Sequence, residues 1–347
     1  MLVCPRFASW FPLAVTVCGV VGLTAACGLS EFPRGTGQAG PDAGSSAIDA
    51  PGPPSPADVG MAPPGSPDVK TPAADVAAVD TGAPPPPASG PTVTIGGMPV
   101  ARENVIVFLH IGHSNMAGRT NTPAALRPFN YETDPHLWAY AKGGVWQPAK
   151  EPLSGDYLTK MNAGPGMSIL HTALGLAPSR FMVSIGRGHD GSIGGHCRNF
   201  RKGALLYDFV MGPAMELKGK VTFGGIFTML GINEFRRDAT NLEKFNECLA
   251  GIASDMRTDL GDPNIPFAMG DWEAGATGDF LPTHDYAITT KAQLRLAVAN
   301  IPRSVLIPTE MLPMSDDHHF DLTGYKMWAE RGFELMKAAA LLPWAAQ

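Results

Sequence analysis

The sequence contains no cluster of lysine and arginine residues. It has 26 basic and 32 acidic side chains among 347 residues, which gives a formal net charge of −6 at pH 7. Proteins that bind nucleic acid usually concentrate positive charge on one face. We therefore predict that the protein does not bind nucleic acid or another polyanion.

Cysteine is also scarce, and most of it lies near the N-terminus. Cys4, Cys18 and Cys27 come first, and only Cys197 and Cys248 follow in the rest of the chain. Two isolated cysteines do not make a zinc site. In an exported protein they can form a disulfide, but the sequence does not show whether they are close enough in space to pair.

No apolar segment has the length of a typical membrane span, but a shorter one lies near the N-terminus. Residues 11–26, FPLAVTVCGVVGLTAA, follow Arg6 and end in small side chains, which is typical of a secretory signal peptide. We assign residues 1–26 to a signal peptide and predict an exported protein of a bacterial cell envelope. The segment LTAAC ending at Cys27 resembles a lipobox, so Cys27 is a candidate lipid anchor. Cleavage by the ordinary signal peptidase after Ala26, giving a secreted protein, is the alternative.

The segment that follows Cys27 has a biased composition. From Glu31 to Thr92 the chain carries 15 of its 33 prolines, together with many Ala, Gly and Ser residues. Such a segment cannot bury enough apolar surface to offset the entropy lost on ordering. We predict that residues 27–92 are a disordered tether and that residues 93–347 form one folded domain. A spacer needed only for export is the alternative role of the tether.

Short apolar segments alternate with longer amphipathic segments in the predicted domain. The apolar segments are predicted to be buried strands of a parallel sheet: 104–111, 180–186, 221–230, 265–271 and 304–308. The amphipathic segments have apolar residues at three- and four-residue spacing and are predicted to be helices: 164–177, 239–260, 284–301 and 323–342. This alternation predicts an α/β fold, a three-layer α/β/α sandwich with a mostly parallel central sheet.

Polar clusters follow the predicted strands, where open α/β sheets bind their ligands. The segment IGHSNMAGR (111–119) follows the first strand, GRGHDGSIGG the second and GINE the third, while SDDHHFD lies shortly after the last. Ser114 could simply be a helix cap. However, no glutamate stands three residues further on, and no long amphipathic segment follows. A catalytic serine is the more specific interpretation, although the G-x-S-x-G elbow of α/β hydrolases is absent here.

A nucleophilic serine needs a base and donors for the developing oxyanion. An aspartate three residues before a histidine can bond its Nδ1 and leave Nε2 free, which makes Asp316 and His319 the candidate pair. Candidate oxyanion donors are the main-chain N–H groups of Ser114 and Gly191 and the side-chain amide of Asn233. Each of these follows a different predicted strand, so convergence at one sheet edge is expected.

Two motifs suggest other chemistry. The segment GRGHDG (186–191) fits the dinucleotide fingerprint G-x-G-x-x-G, but SIGGHCRN follows it instead of a helix, so we expect no nicotinamide or flavin cofactor. The segment DDHHFD (316–321) offers carboxylates and imidazoles, but no further ligand set such as HExxH accompanies it, so we expect no metal site. A solvated acidic turn fits Asp317 and His318 better than Asp316 and His319, because Phe320 should anchor the segment in the core.

Together these segments resemble the SGNH hydrolase superfamily, and within it the carbohydrate esterase branch of sialate O-acetylesterases and acetyl xylan esterases. GHSNMAGR (112–119) is similar to the signature GQSNM.GR of that branch, and DDHHFDLTGY (316–325) is similar to its terminal D-x-x-H-F segment. WQPAKEPL (146–153), GPGMSIL (164–170) and DGSI (190–193) also look like its intervening segments. The resemblance covers about residues 104–337 and implies an SGNH, flavodoxin-like sandwich.

The resemblance implies a serine esterase that removes acetyl groups from O-acetylated carbohydrate without a metal or organic cofactor. It assigns Ser114 as nucleophile, His319 as base, Asp316 as its partner, and Gly191 and Asn233 as oxyanion donors alongside Ser114. Two departures are His113, where the branch usually has Gln, and LGINEF in place of a Gln-Gly-Glu-x-Asp pattern. These departures keep open the alternative of a non-catalytic glycan-binding module. A GDSL-like lipase or arylesterase, which would prefer longer acyl chains, is the other enzyme alternative. Gly188 is a candidate oxyanion donor in place of Gly191. The candidate substrate-contacting residues are His113, Arg119, His189 and Trp272.

Overall fold

The computed structural model describes residues 90–120, 134–141, 143–153, 162–189, 196–235, 242–271, 284–316 and 318–345. The predicted signal peptide, Cys27 and most of the predicted tether lie outside these ranges. All of the described residues belong to one unit, Asp80–Gln347. Among them, no helix combines the length and the apolar character needed to cross a membrane.

A seven-stranded sheet forms the centre of the domain, and a short hairpin of β1 (Thr92–Ile95) and β2 (Met98–Ala101) precedes it. The strands of the sheet are β3 (Val105–Gly112), β4 (Leu137–Ala141), β5 (Val145–Pro148), β6 (Phe181–Gly188), β7 (Thr222–Met229), β8 (Phe267–Gly270) and β9 (Ser304–Ile307). Their order across the sheet is β5-β4-β6-β3-β7-β8-β9. Strands β4 and β5 pair antiparallel, and the other neighbouring pairs are parallel.

Helices cover both faces of this sheet. They are α1 (Ser114–Ala117), α2 (Gly166–Leu176), α3 (Leu205–Leu217), α4 (Ile232–Phe235), α5 (Leu242–Leu260), α6 (His284–Ala299) and α7 (Leu322–Ala338). Apolar side chains of α3, α5 and α6 pack in one buried core, and those of α2 and α7 pack in a second core on the opposite face. The predicted three-layer α/β/α sandwich with a mostly parallel sheet is therefore confirmed.

Strand β3 shows why the sequence produces this architecture. Val105 and Val107 pack in the core beneath α3 and α5, whereas Ile106 and Phe108 pack in the core beneath α2 and α7. Successive side chains of a strand point to opposite faces, so a continuous apolar segment is stable only when both faces are covered. The apolar run ends at Gly112, where a Cβ would lie 2.3 Å from the carbonyl oxygen of Met229. This close approach places the turn after β3 beside the end of β7.

The structure corrects several of the predicted elements. Helix α3 and the strands β4 and β5 were not predicted. Helix α3 contains Pro213, which interrupts a helical sequence pattern, and β5 is almost entirely exposed and so lacks an apolar pattern. Helix α7 ends at Ala338 rather than at residue 342, because Ala340 adopts a φ of 51° and the chain turns toward the buried Trp344.

Two connections join segments that are separate along the chain. Cys197 and Cys248 form a disulfide that joins the turn Cys197–Phe200 to helix α5, which settles the pairing that the sequence left open. Glu151 is buried, and its carboxylate accepts hydrogen bonds from the N–H groups of Leu153 and Met167, each at 2.9 Å. Burial raises the pKa of Glu151 to about 7 despite these hydrogen bonds. The segments 146–153 and 164–170, which resemble family segments, are thus in direct contact.

Candidate active site

The candidate nucleophile Ser114 begins α1, directly after the central strand β3. The N–H of His113 donates to the carbonyl of Met229 at 2.9 Å, which fixes the turn against the end of β7. The ring Nδ1 of His113 accepts a hydrogen bond from the N–H of Asn115 at 3.3 Å and caps the short helix. At Gly118 the chain leaves the helix with a φ of 94°, and a Cβ there would lie 2.5 Å from the carbonyl oxygen of Asn162. The turn therefore requires glycine and holds Ser114 partly buried at the sheet edge.

The structure brings Ser114, His319 and Asp316 into one hydrogen-bonded chain. His319 Nε2 lies 3.0 Å from Ser114 Oγ, and His319 Nδ1 lies 2.7 Å from Asp316 Oδ2. The second carboxylate oxygen, Oδ1, accepts hydrogen bonds from the N–H groups of His318 at 2.9 Å and His319 at 2.7 Å. Asp316 thus folds back on its own loop and fixes the imidazole, as the three-residue spacing predicts. This is the geometry in which a histidine can accept a serine proton.

The electrostatics of the site keep the carboxylate charged and the imidazole neutral. Partial burial acts to raise the pKa of Asp316, but the hydrogen bonds from His318 and His319 outweigh it and lower the pKa to about 2. Burial lowers the pKa of His319 below its usual 6.5, and the charges of His318 and Arg119 lower it further, while Asp316 acts in the opposite direction. A neutral imidazole beside a charged carboxylate at neutral pH is the state that a general base requires.

Sequence reasoning missed a second set of contacts between the two halves of this site. The side chain of Asn115, which is 1% exposed, lies between the Ser114 turn and the His319 loop. Its Nδ2 donates to the carbonyl of His318 at 2.9 Å, and its Oδ1 accepts from the N–H of Phe320 and the hydroxyl of Tyr325, each at 3.0 Å. The segment GHSNMAGR (112–119) contains Asn115, but the partners of this side chain lie more than 200 positions away along the chain.

The predicted substrate contacts lie at different depths. His113 is 2% exposed, and burial followed by the charges of His319 and His318 lowers its pKa to about 3. It is therefore a neutral group beneath the site rather than on its rim. Arg119 is partly buried and close enough for its charge to act on His319. His189 directly follows β6, and its N–H donates to the carbonyl of Gly112 at 2.9 Å.

The structure describes only some of the residues that were predicted to donate to the oxyanion or to contact the substrate. Gly191 and Trp272 lie outside the described residues, so their roles stay predictions. Asn233 lies in α4, directly after β7, but the structure describes only its main chain. Gly188 ends β6, and a Cβ there would lie 2.2 Å from the main chain of Ala117. Its lack of a side chain lets α1 pack against the sheet, which accounts for this glycine by packing alone.

A cluster of three side chains bears on the metal alternative. Asp316, His318 and His319 place one potential ligand atom each within 4.8 Å of one another. However, both ring nitrogens of His319 are already hydrogen-bonded, one to Ser114 and the other to Asp316. Metal binding by His319 would have to break one of these bonds. The arrangement therefore favours a base over a metal ligand.

The pKa of His319 predicts how the activity of this site should depend on pH. Burial and nearby positive charge lower that pKa below 6.5, so the neutral imidazole should persist on the acidic side of pH 6.5. We expect kcat/KM for an ester to stay level through neutral pH and to fall only below pH 6.5, measured between about pH 4.5 and 8. Arg119→Gln should move the inflection upward, because Arg119 opposes protonation of His319. A wild-type inflection above pH 6.5 would contradict this assignment.

Comparison with known proteins supports the resemblance noted in the sequence. Residues 104–338 match the sequence profile described as "Carbohydrate esterase, sialic acid-specific acetylesterase". No curated protein matches the chain significantly in sequence. The sequence match spans more than half of the chain and includes Ser114, His319 and Asp316.

Solved structures show the same fold at low sequence identity. A protein of Arabidopsis thaliana is 18% identical to this chain and superposes with a TM-score of 0.54. The alignment covers 68% of this chain and 97% of the Arabidopsis protein. The protein NanS is 12% identical to this chain, with a TM-score of 0.51. The alignment covers 70% of this chain and 99% of NanS. A carbohydrate acetylesterase from Xanthomonas citri is 15% identical to this chain, with a TM-score of 0.45. The alignment covers 65% of this chain and 54% of the Xanthomonas protein. The first two confirm the predicted SGNH-like α/β fold.

Proposed function

Because the chain belongs to the carbohydrate esterase family of sialic acid-specific acetylesterases, we propose that it is a serine esterase that removes acetyl groups from O-acetylated carbohydrate. The observation that carries this proposal is the hydrogen-bonded chain from Ser114 Oγ through His319 to Asp316 at the carboxyl end of β3. A binding module would not need a neutral imidazole held between a serine hydroxyl and a charged carboxylate.

The proposed reaction has two halves, and both use the same histidine. His319 accepts the Ser114 proton while Oγ attacks the ester carbonyl, and the resulting imidazolium then gives its proton to the departing sugar oxygen, which leaves as a hydroxyl. Water attacks the acetyl-enzyme as His319 accepts one of its protons, and that proton returns to Ser114 as acetic acid leaves. Asp316 remains ionised throughout and stabilises the imidazolium. Each step conserves protons without a metal or an organic cofactor.

The proposed oxyanion site consists of the Ser114 N–H, the Gly191 N–H and the Asn233 amide. Donors of this kind each contribute about 3 kcal/mol to stabilising the transition state in comparable enzymes. Support for Ser114 comes from its place at the start of α1, and support for Asn233 comes from its place directly after β7, the neighbour of β3. Arg119 and His189 are the proposed groups that bind the sugar, and the buried His113 supports the Ser114 turn from beneath.

A series of esters with increasing acyl length tests this function. The full-length protein is expected to hydrolyse p-nitrophenyl acetate, with kcat/KM falling at least about 10-fold for the octanoate, since a pocket built for acetyl excludes longer chains. A preference for octanoate would instead indicate a lipase or arylesterase. No turnover of any ester would overturn the esterase proposal and leave glycan binding. Acetate release from acetylated sialic acid and acetylated xylan, measured in parallel, then identifies the sugar.

We also propose that the enzyme works outside the cytoplasm. The supports are the signal-like residues 11–26, the lipobox-like segment ending at Cys27, and the proline-rich residues that follow. A lipid on Cys27 would place the domain at a membrane surface with its substrate in the surrounding polymer. Cleavage after Ala26 would release it instead.

A further inference from the structure

The side chain of Asn115 holds the peptide groups on both sides of His319. Its amide donates to the carbonyl of His318 and accepts from the N–H of Phe320, the residues directly before and after the base. The hydroxyl of Tyr325, in the first turns of α7, donates to the same amide oxygen. Asn115 and Tyr325 are 1% and 0% exposed, so these hydrogen bonds form away from competing water.

We propose that Asn115 is a positioning residue that sets the distance and angle between Ser114 Oγ and His319 Nε2. The inference rests on the proposed esterase function and adds a residue that acts through His319 without touching the substrate. Two hydrogen bonds to the flanking peptide groups fix both the position and the rotation of the His319 backbone. Tyr325 fixes the amide in turn and links it to α7.

The nucleophile turn and the His319 loop need a residue that joins them, because they lie far apart along the chain. Ser114 and His319 are 205 residues apart, and each belongs to a turn with its own internal hydrogen bonds. The His319 loop is closed on itself by the N–H of Ser315, which donates to the His319 carbonyl at 2.7 Å, and by Asp316. Asn115 joins this loop to the nucleophile turn, because it directly follows Ser114 in α1. A displacement of about 1 Å at a reacting centre can cost on the order of 100-fold in rate.

The chemistry of the contact requires an amide. One end must donate to a carbonyl and the other must accept from an N–H and a hydroxyl, which asparagine alone provides at this length. Aspartate has the same shape but would point a carboxylate oxygen at the His318 carbonyl. It would also add negative charge near His319, which should favour the protonated imidazole. Alanine would remove the three hydrogen bonds without adding charge.

Kinetics of four variants of the full-length protein test the proposal. For Asn115→Ala and Asn115→Asp we expect kcat for p-nitrophenyl acetate to fall about 100-fold with KM within about 2-fold of wild type, since Asn115 does not contact substrate. In Asn115→Asp the acidic inflection of the pH profile should also move upward. Tyr325→Phe, a milder change, should lower kcat about 5-fold. Tyr207→Phe is the matched control, because it removes the hydrogen bond of a buried tyrosine to Asp259 in the core on the opposite face of the sheet from Tyr325.

The outcomes separate this inference from the proposed function. Normal kcat in folded Asn115→Ala, or in Tyr325→Phe if the first variant does not fold, would overturn the positioning role while leaving the esterase intact. Equal losses of kcat in Tyr325→Phe and Tyr207→Phe would also overturn it, because they would reflect general destabilisation. An inactive wild type would reject the esterase proposal itself, and the positioning role with it.

Discussion

Ser114→Ala is expected to lower kcat/KM for p-nitrophenyl acetate by at least about four orders of magnitude. The hydroxyl is the proposed nucleophile, and the structure places it 3.0 Å from His319 Nε2. Alanine keeps the helix α1 and its packing against β6, so the loss should be in chemistry rather than in folding. Turnover measured at saturating substrate, together with thermal unfolding, distinguishes these two effects.

A second serine serves as the control for this variant. Ser168, in α2, is fully buried, and its hydroxyl makes no hydrogen bond to the residues that the structure describes. Ser168→Ala should therefore keep wild-type kcat/KM and nearly wild-type stability, because it removes a buried hydroxyl without breaking a hydrogen bond to any described residue. If Ser114→Ala retained more than about a tenth of wild-type activity, the covalent mechanism would be wrong.

Loss of the disulfide is expected to have the largest effect on stability. Cys197 and Cys248 are separated by 51 positions, and releasing a loop of this size should lower the free energy of unfolding by about 4 kcal/mol. The bond also holds the turn whose Cys197 N–H donates to the carboxylate of Glu234, the neighbour of Asn233. Cys248→Ser should therefore destabilise the fold and also reduce esterase activity through the displaced Asn233 turn.

Urea unfolding with and without reductant measures this effect. The midpoint of the wild-type protein should fall on reduction, whereas that of Cys248→Ser should not change, since it has no bond left to reduce. A change below about 1 kcal/mol on reduction of the wild type would show that the bond contributes little to folding. Full activity in Cys248→Ser would show that the Asn233 turn does not depend on it.

The sequence predicted the fold where the burial pattern is uniform along an element. β3 is buried on both faces and therefore appears as an unbroken apolar segment, and α7 carries its core residues at helical spacing. Prediction from the sequence failed for elements whose burial depends on partners distant along the chain. β5 is an exposed edge strand defined by its pairing with β4, and α3 continues through Pro213 because tertiary packing outweighs local propensity.

By itself, the sequence determined the parts of the site that are local. Asp316 and His319 are three residues apart and can bond within one turn, and Ser114 must face the sheet edge because it directly follows a buried strand. Only the tertiary structure decided what joins these parts: the 3.0 Å contact of His319 with Ser114, the pairing of Cys197 with Cys248, and the contacts of Asn115. Those contacts span 51 to 210 positions of the chain. A local pattern carries no information on such distances, since they depend on how whole strands and helices pack.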